Sequence, residues 1–250
     1  MKKLILSLFL FSIGNYLFSQ IIINEYSCSN ISGPIDSFGE NEDWVEFYNT
    51  TGAAIDLTGY YLSDKSSNLT KWQIPSGSIP ANGYINVFYS GRGTVSGNDI
   101  HPSFGITQTK GEWIILTEPG GNIVDSLKII MVTQVDHSYG RTTDNATTWS
   151  LFLNPTLGAS NTGAKNYYTA KPSFSIAPGF YNGPQNISLS TTDATSTIHY
   201  TLDGTVPTIT STTYAAPIVI NTTSVLRSRA FSSNPNTPSS FIETNTYFIN

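Results

Sequence analysis

The sequence predicts an all-β protein of two tandem β-sandwiches behind an N-terminal export signal. Three observations carry this. Charged residues make up only 12% of the 250-residue chain, against about a quarter in ordinary globular proteins. Thr, Ser, Asn, Gly, Tyr and Phe are abundant, as suits pleated surfaces joined by turns. Short strand-like runs follow one another along the chain except between Asn154 and Lys171, where the apolar pattern lapses.

The first residues read as a secretory leader. Lys2 and Lys3 form the charged start, Leu4 to Ile13 the apolar stretch, and Phe18-Ser19-Gln20 the cut. A membrane span needs about 20 apolar residues, and this run meets Gly14 and Asn15 well short of that. A lipid anchor would place a cysteine at the cut, but Cys28 lies beyond the polar Asn24-Glu25. A signal peptide over 1–19 and a secreted or cell-surface product without a membrane span are therefore expected.

About 230 residues remain, enough for two small domains that each bury a core. One cysteine cannot form an internal disulfide, so Cys28 reads as a buried, inert thiol. The net charge of −5 becomes −7 when Lys2 and Lys3 leave with the leader. With no basic stripe, nucleic acid and anionic membranes are excluded as partners, and a monomer is expected.

Strands are predicted at Ile21–Ser27, Trp44–Asn49, Gly59–Ser63, Tyr84–Tyr89, Glu112–Thr117 and Ile123–Ile129, then at Ile187–Ser190, Ile198–Leu202, Ile218–Ile220 and Val225–Phe231. Alternation is clearest in Trp44-Val45-Glu46-Phe47-Tyr48. Val45 and Phe47 share one face there, Trp44, Glu46 and Tyr48 the other, and one face must be core. Pro155, Gly158, Gly163 and their small polar neighbours mark the break. Domains are placed at 20–161 and 172–250, with 162–171 as a short link on which they sit as beads.

Several motifs occur in a telling order in the first domain. Ile23-Asn24-Glu25 opens it, Asp43-Trp44-Val45-Glu46-Phe47-Tyr48-Asn49 follows an acidic loop, and Asp56-Leu57-Thr58-Gly59-Tyr60 comes next. Ile79-Pro80-Ala81-Asn82-Gly83-Tyr84, Gly111-Glu112, Ser138-Tyr139-Gly140-Arg141, Trp149 and Pro155-Thr156-Leu157-Gly158-Ala159 complete the series. This order resembles the lamin-tail domain over nearly all of 20–161. Asn145 stands where bacterial members often carry a turn glycine, and asparagine tolerates the same left-handed backbone.

In the second domain, Ile198-His199-Tyr200-Thr201-Leu202-Asp203-Gly204-Thr205-Val206-Pro207, then Tyr214, Pro217-Ile218 and Leu226-Arg227-Ser228-Arg229-Ala230, resembles the chitobiase/β-hexosaminidase C-terminal accessory domain. That resemblance implies an immunoglobulin-like sandwich appended to glycan enzymes and surface proteins. The two together resemble the front end of bacterial surface proteins, some of which continue into a spore-coat-protein-H-like kinase domain. No kinase Gly-rich loop or catalytic-loop pattern is present, so no such activity is carried over.

Candidate sites are few. Asp36, Glu40, Glu42 and Asp43 offer oxygens of the kind calcium takes, but their spacing matches no calcium-loop signature, and they read as a solvated acidic loop. Asp136-His137-Ser138 has the residue types of a hydrolase triad, yet chain neighbours point to opposite faces. His101, His137 and His199 show no zinc spacing. Asp203 reads as a turn former. Among the tryptophans, Trp113 and Trp149 read as core, and Trp72, between Lys71 and Gln73, is the candidate for an exposed sugar-stacking face, although an aromatic in a sandwich strand is usually packing.

No catalytic residue, cofactor or metal is assigned, and the chain is not expected to be an enzyme. A noncatalytic binding or scaffolding module contacting cell-wall glycans or surface proteins is favoured. The alternatives are a targeting portion of a larger surface enzyme and a metal enzyme acting through the acidic loop.

Overall fold

A computed structural model describes residues 19–250. Residues 1–18, and with them all but the last position of the expected leader, lie outside the described residues. The described chain consists of strands and turns without a helix, so it contains no helix long and apolar enough to cross a membrane.

The first sandwich pairs a seven-stranded sheet with a four-stranded one. The larger runs Trp149–Phe152, Ser138–Arg141, Ile21–Ser27, Trp44–Asn49, Tyr84–Phe88, Asp99–His101, Thr94–Ser96 in spatial order, and the smaller Ile123–Lys128, Trp113–Thr117, Tyr61–Ser63, Trp72–Gln73. Ile21, Ile23, Val45 and Phe47 from the one pack against Leu62, Ile114 and Leu116 from the other, each such side chain contributing about 1.5–3 kcal/mol. Cys28 is buried in this core, where burial pushes its thiol up. Asn145 does adopt the left-handed backbone, at φ 60°.

The second sandwich sets a five-stranded sheet, Gly179–Tyr181, Glu243–Ile249, Ser224–Ser232, Ser196–Thr201, Thr212–Thr213, against two short ladders. Leu226, Ser228 and Ala230 alternate inward along Ser224–Ser232 and meet Ile187, Ile220 and Tyr247.

Val45 and Phe47 form the core face expected in Trp44–Asn49, and Trp44 and Glu46 on the other face are buried as well, with Gly158 of the segment after Phe152 donating its N–H to Glu46. The link makes backbone pairs with both sandwiches. Lys165 pairs with Leu151 of the first sandwich (2.8 and 3.3 Å), whereas Asn166 and Thr169 donate their N–H groups to Asn236 and Pro238 of the second (2.9 and 2.8 Å). Its backbone groups find partners on both sides, as partly buried amides must.

Candidate functional site

The acidic loop does not converge. Asp36 is buried, and its Oδ1 accepts the N–H groups of Phe38 (2.8 Å) and Glu40 (2.9 Å). Arg92 bridges Asp36 (3.5 Å) and Glu42 (3.1 Å). Glu40 faces solvent, and Asp43 accepts the Asn30 N–H at 3.3 Å. These oxygens serve the loop's own backbone and one guanidinium. Among the described residues, no three His, Cys, Asp or Glu side chains are grouped to hold a metal ion.

The triad-like residues likewise diverge. Asp136 accepts the Ile31 and Ser32 N–H groups at 2.7 and 2.9 Å, His137 Nδ1 meets the Tyr168 hydroxyl at 2.8 Å, and Ser138 donates to Glu25. His101 ends a strand and is wholly buried between the Ser37 and Ser90 hydroxyls.

A sealed carboxyl network lies on the outer face of the large sheet. Ile21, Ile23 and Tyr26 all enter the core, so the alternation slips between Ile23 and Tyr26. The register shift recorded at Ile23/Glu25 is that slip, and such a bulge sends Asn24 and Glu25 to one side. There Glu25 lies opposite Glu46 in the ladder. Thr156 gives Glu25 its N–H at 3.1 Å and its hydroxyl, and Ser138 adds another. Glu46 accepts the Asn24 carboxamide at 2.9 Å and the Gly158 N–H. Asn24 also reaches Asp144 (3.0 Å) and Asn161 (3.2 Å). Gly140 is required beside this cluster, because a Cβ there would fall 2.9 Å from the Asn24 carbonyl and the Glu25 side chain.

Burial pushes the Glu46 carboxyl up to about 8, against the pull of Asn24 and Gly158, and raises Glu25 as well. A carboxyl that ionises higher in the fold than in the unfolded chain stabilises the fold fully below its unfolded value of about 4.5, and that contribution is lost as pH rises through about 8. Wild-type Tm is therefore expected to fall by several degrees between about pH 5 and about pH 8, and Glu46→Gln to flatten the decline. Equal slopes in thermal melts of the two chains would refute this. Glu25 and Glu46 have no solvent exposure, so no substrate reaches them. The network fastens the closing segment to the sheet.

A surface feature with the geometry of a binding site lies where the connecting segment runs beside the Ser138–Arg141 and Trp149–Phe152 strands of the first sandwich. A half-open groove of about 410 Å³ is lined by Tyr139, Trp149, Ser150, Leu151, Lys165, Asn166 and Tyr167, within the size range of small-ligand sites. Antiparallel pairing of Ser138–Arg141 with Trp149–Phe152 sets Tyr139 beside Trp149, ring centres 5.5 Å apart and inclined by 31°. Tyr26 supports the indole from the core at 6.2 Å, and the Arg141 guanidinium lies 5.3 Å from it. Tyr167 extends the aromatic wall from the connecting segment, 59% exposed, its hydroxyl 3.2 Å from that of Tyr139. Burial and this contact push the Tyr139 phenol up, so it stays a neutral donor.

Trp72 and Trp149 are both half-buried against the first core, and of the two Trp149 lines the groove.

Comparison with known families places these features. Residues 18–130 match the family described as Lamin Tail Domain. Residues 176–243 match Chitobiase/beta-hexosaminidase C-terminal domain. The chain carries a lamin tail domain followed by a chitobiase-type C-terminal domain. It is thus two tandem immunoglobulin-like sandwiches, and the aromatic groove, built from residues 139–167, falls between the two matched stretches. A stretch of 72 residues is 42% identical to an endoglucanase of Clostridium saccharobutylicum and covers 29% of this chain but 15% of that enzyme.

In the chitobiase-type domain, Asp203 forms the expected turn. Its Oδ1 accepts the Thr205 N–H (3.0 Å) and hydroxyl (2.6 Å), while Gly204 takes φ +79°.

Proposed function

We propose that the chain is a noncatalytic, exported module that binds glycan at the aromatic groove beside the link and so positions itself, or a protein attached to it, on a polysaccharide surface. The observation that carries this reading is the Tyr139–Trp149–Tyr167 wall beside Lys165 and Asn166. Aromatic faces take the apolar faces of sugar rings, while polar groups at the edge take hydroxyls. Kinship of one stretch with an endoglucanase supports a polysaccharide setting. Seclusion of Glu25 and Glu46, and the divergence of Asp136, His137 and Ser138, support a noncatalytic role.

A second reading, a targeting portion of a larger surface enzyme, is favoured by one fact. The shared stretch is a small part of the endoglucanase it matches. In that setting the groove would hold an attached catalytic domain near its polymer.

Binding of the intact chain to cellulose, chitin, peptidoglycan and pectin tests the reading. Trp149→Ala and Tyr167→Ala are each expected to weaken retention about tenfold, the worth of one aromatic stack, and the exposed Phe180→Ser to leave it intact. Retention that survives both groove substitutions would overturn the assignment.

A further inference from the structure

Resting on that reading of the groove, we propose that it selects acidic sugars, pyranoses bearing a carboxylate or sulfate, and that Lys165 is the residue that makes the choice.

The backbone of Lys165 is fixed on both sides. Its N–H and C=O pair with Leu151, and its carbonyl also accepts the Ser150 hydroxyl. The side chain therefore leaves from a set point on the groove rim, next to Asn166 and Tyr167, which the second sandwich holds through the bond from Asn166 to Asn236.

The ammonium has little to satisfy it. Its protein acceptors are the Asn236 side-chain oxygen at 3.4 Å and the Pro235 carbonyl at 3.5 Å, both long and both neutral. Among the described residues no carboxylate lies within ion-pair distance of it, as is also true of Lys65, Lys110, Lys128, Arg227 and Arg229, none of which lines the groove. Arg141, the other cation near the groove, is committed to Asp125 (3.6 Å) and to the carbonyls of Ile23 and Ala146.

A half-buried cation without a counter-charge, on the rim of an aromatic wall, is matched by a ligand with a flat apolar face and one anionic substituent. A carboxylate or sulfate oxygen reaching Lys165 would form a charge-assisted bond, shorter and about twice as strong as the neutral contacts it replaces. A neutral sugar ring can use the wall but leaves the ammonium as it is.

The test compares ligands that differ only in charge. Calorimetric titration of the intact chain with oligogalacturonate and with its fully methyl-esterified form keeps the ring and removes the carboxylate. Dextran sulfate against dextran does the same for sulfate. In at least one pair, the acidic member is expected to bind about fivefold or more tighter, with the advantage shrinking as salt rises. Lys165→Gln should bring the acidic ligand to within about twofold of its neutral counterpart, and Lys165→Arg should keep the preference. Equal wild-type affinity within both pairs, lost in Trp149→Ala, would overturn the charge selection while sparing the groove. A preference that persists in Lys165→Gln, or no binding of either acidic ligand, would also overturn it.

Discussion

Replacing Glu25 with alanine is expected to lower the Tm of the lamin tail domain by about 10 °C or more, a larger effect than that of any groove substitution. The side chain is wholly buried and accepts from the Ser138 hydroxyl and from both the N–H and hydroxyl of Thr156. Truncation leaves these donors without an acceptor, at about 1–3 kcal/mol for each that stays buried, and opens a cavity besides. Against a total stability of about 5–15 kcal/mol, that removes much of the margin. It also frees the segment carrying Thr156 and Gly158, which the network holds against Glu46. Glu25→Gln keeps the shape and one acceptor oxygen, so its Tm should fall by less. A thermal melt in which Glu25→Ala matches wild type would show that the network is dispensable.

Tyr168→Ala is expected to uncouple the two sandwiches. The Tyr168 hydroxyl accepts the Gln134 N–H at 2.9 Å and meets His137 Nδ1 at 2.8 Å, and its ring packs edge-on against Phe241 at 4.9 Å. Gln134 in turn donates to the Ser239 carbonyl (2.8 Å) and accepts from Arg229. One aromatic thus joins both domains through packing and hydrogen bonds. Losing it should cost about 2–3 kcal/mol, below the range for a fully buried aromatic, and should split the thermal transition in calorimetry into two while raising the radius of gyration in solution scattering. Because Tyr167 is its chain neighbour, groove affinity should fall as well. A single unshifted transition with unchanged dimensions would mean that the joint lies elsewhere.

Much of the fold was legible because strands announce themselves where apolar alternation is strong. Ile21–Ser27, Trp44–Asn49 and Ile218–Ile220 occur as predicted. Glu243–Ile249 was missed because Thr244, Asn245 and Thr246 hide the pattern. Asn245 faces inward, bonded to Tyr247, and a buried asparagine reads as surface in a sequence. Ser138–Arg141 and Trp149–Phe152 were missed as strands because they are short, and Gly140 answers to a close approach that only the folded sheet reveals.

The site was less legible for two physical reasons. Glu25 and Glu46 carry charge, which normally marks solvent. The available signal was a polar Asn24-Glu25 pair directly after three isoleucines, where a bulge was needed to turn both residues outward. The groove depends on Tyr139, Trp149 and Tyr167, brought together by a strand pairing and by a link whose attachment no local pattern encodes.

The four tryptophans offer a direct reading of the central claim. The indole N–H resonances of the intact, isotope-labelled chain would be followed by NMR during titration with galacturonate and cello-oligosaccharides. Glycan binding in the groove predicts that the Trp149 signal moves with saturable dependence while those of Trp44, Trp72 and Trp113 stay in place. Movement of Trp72 with Trp149 unmoved would contradict the account.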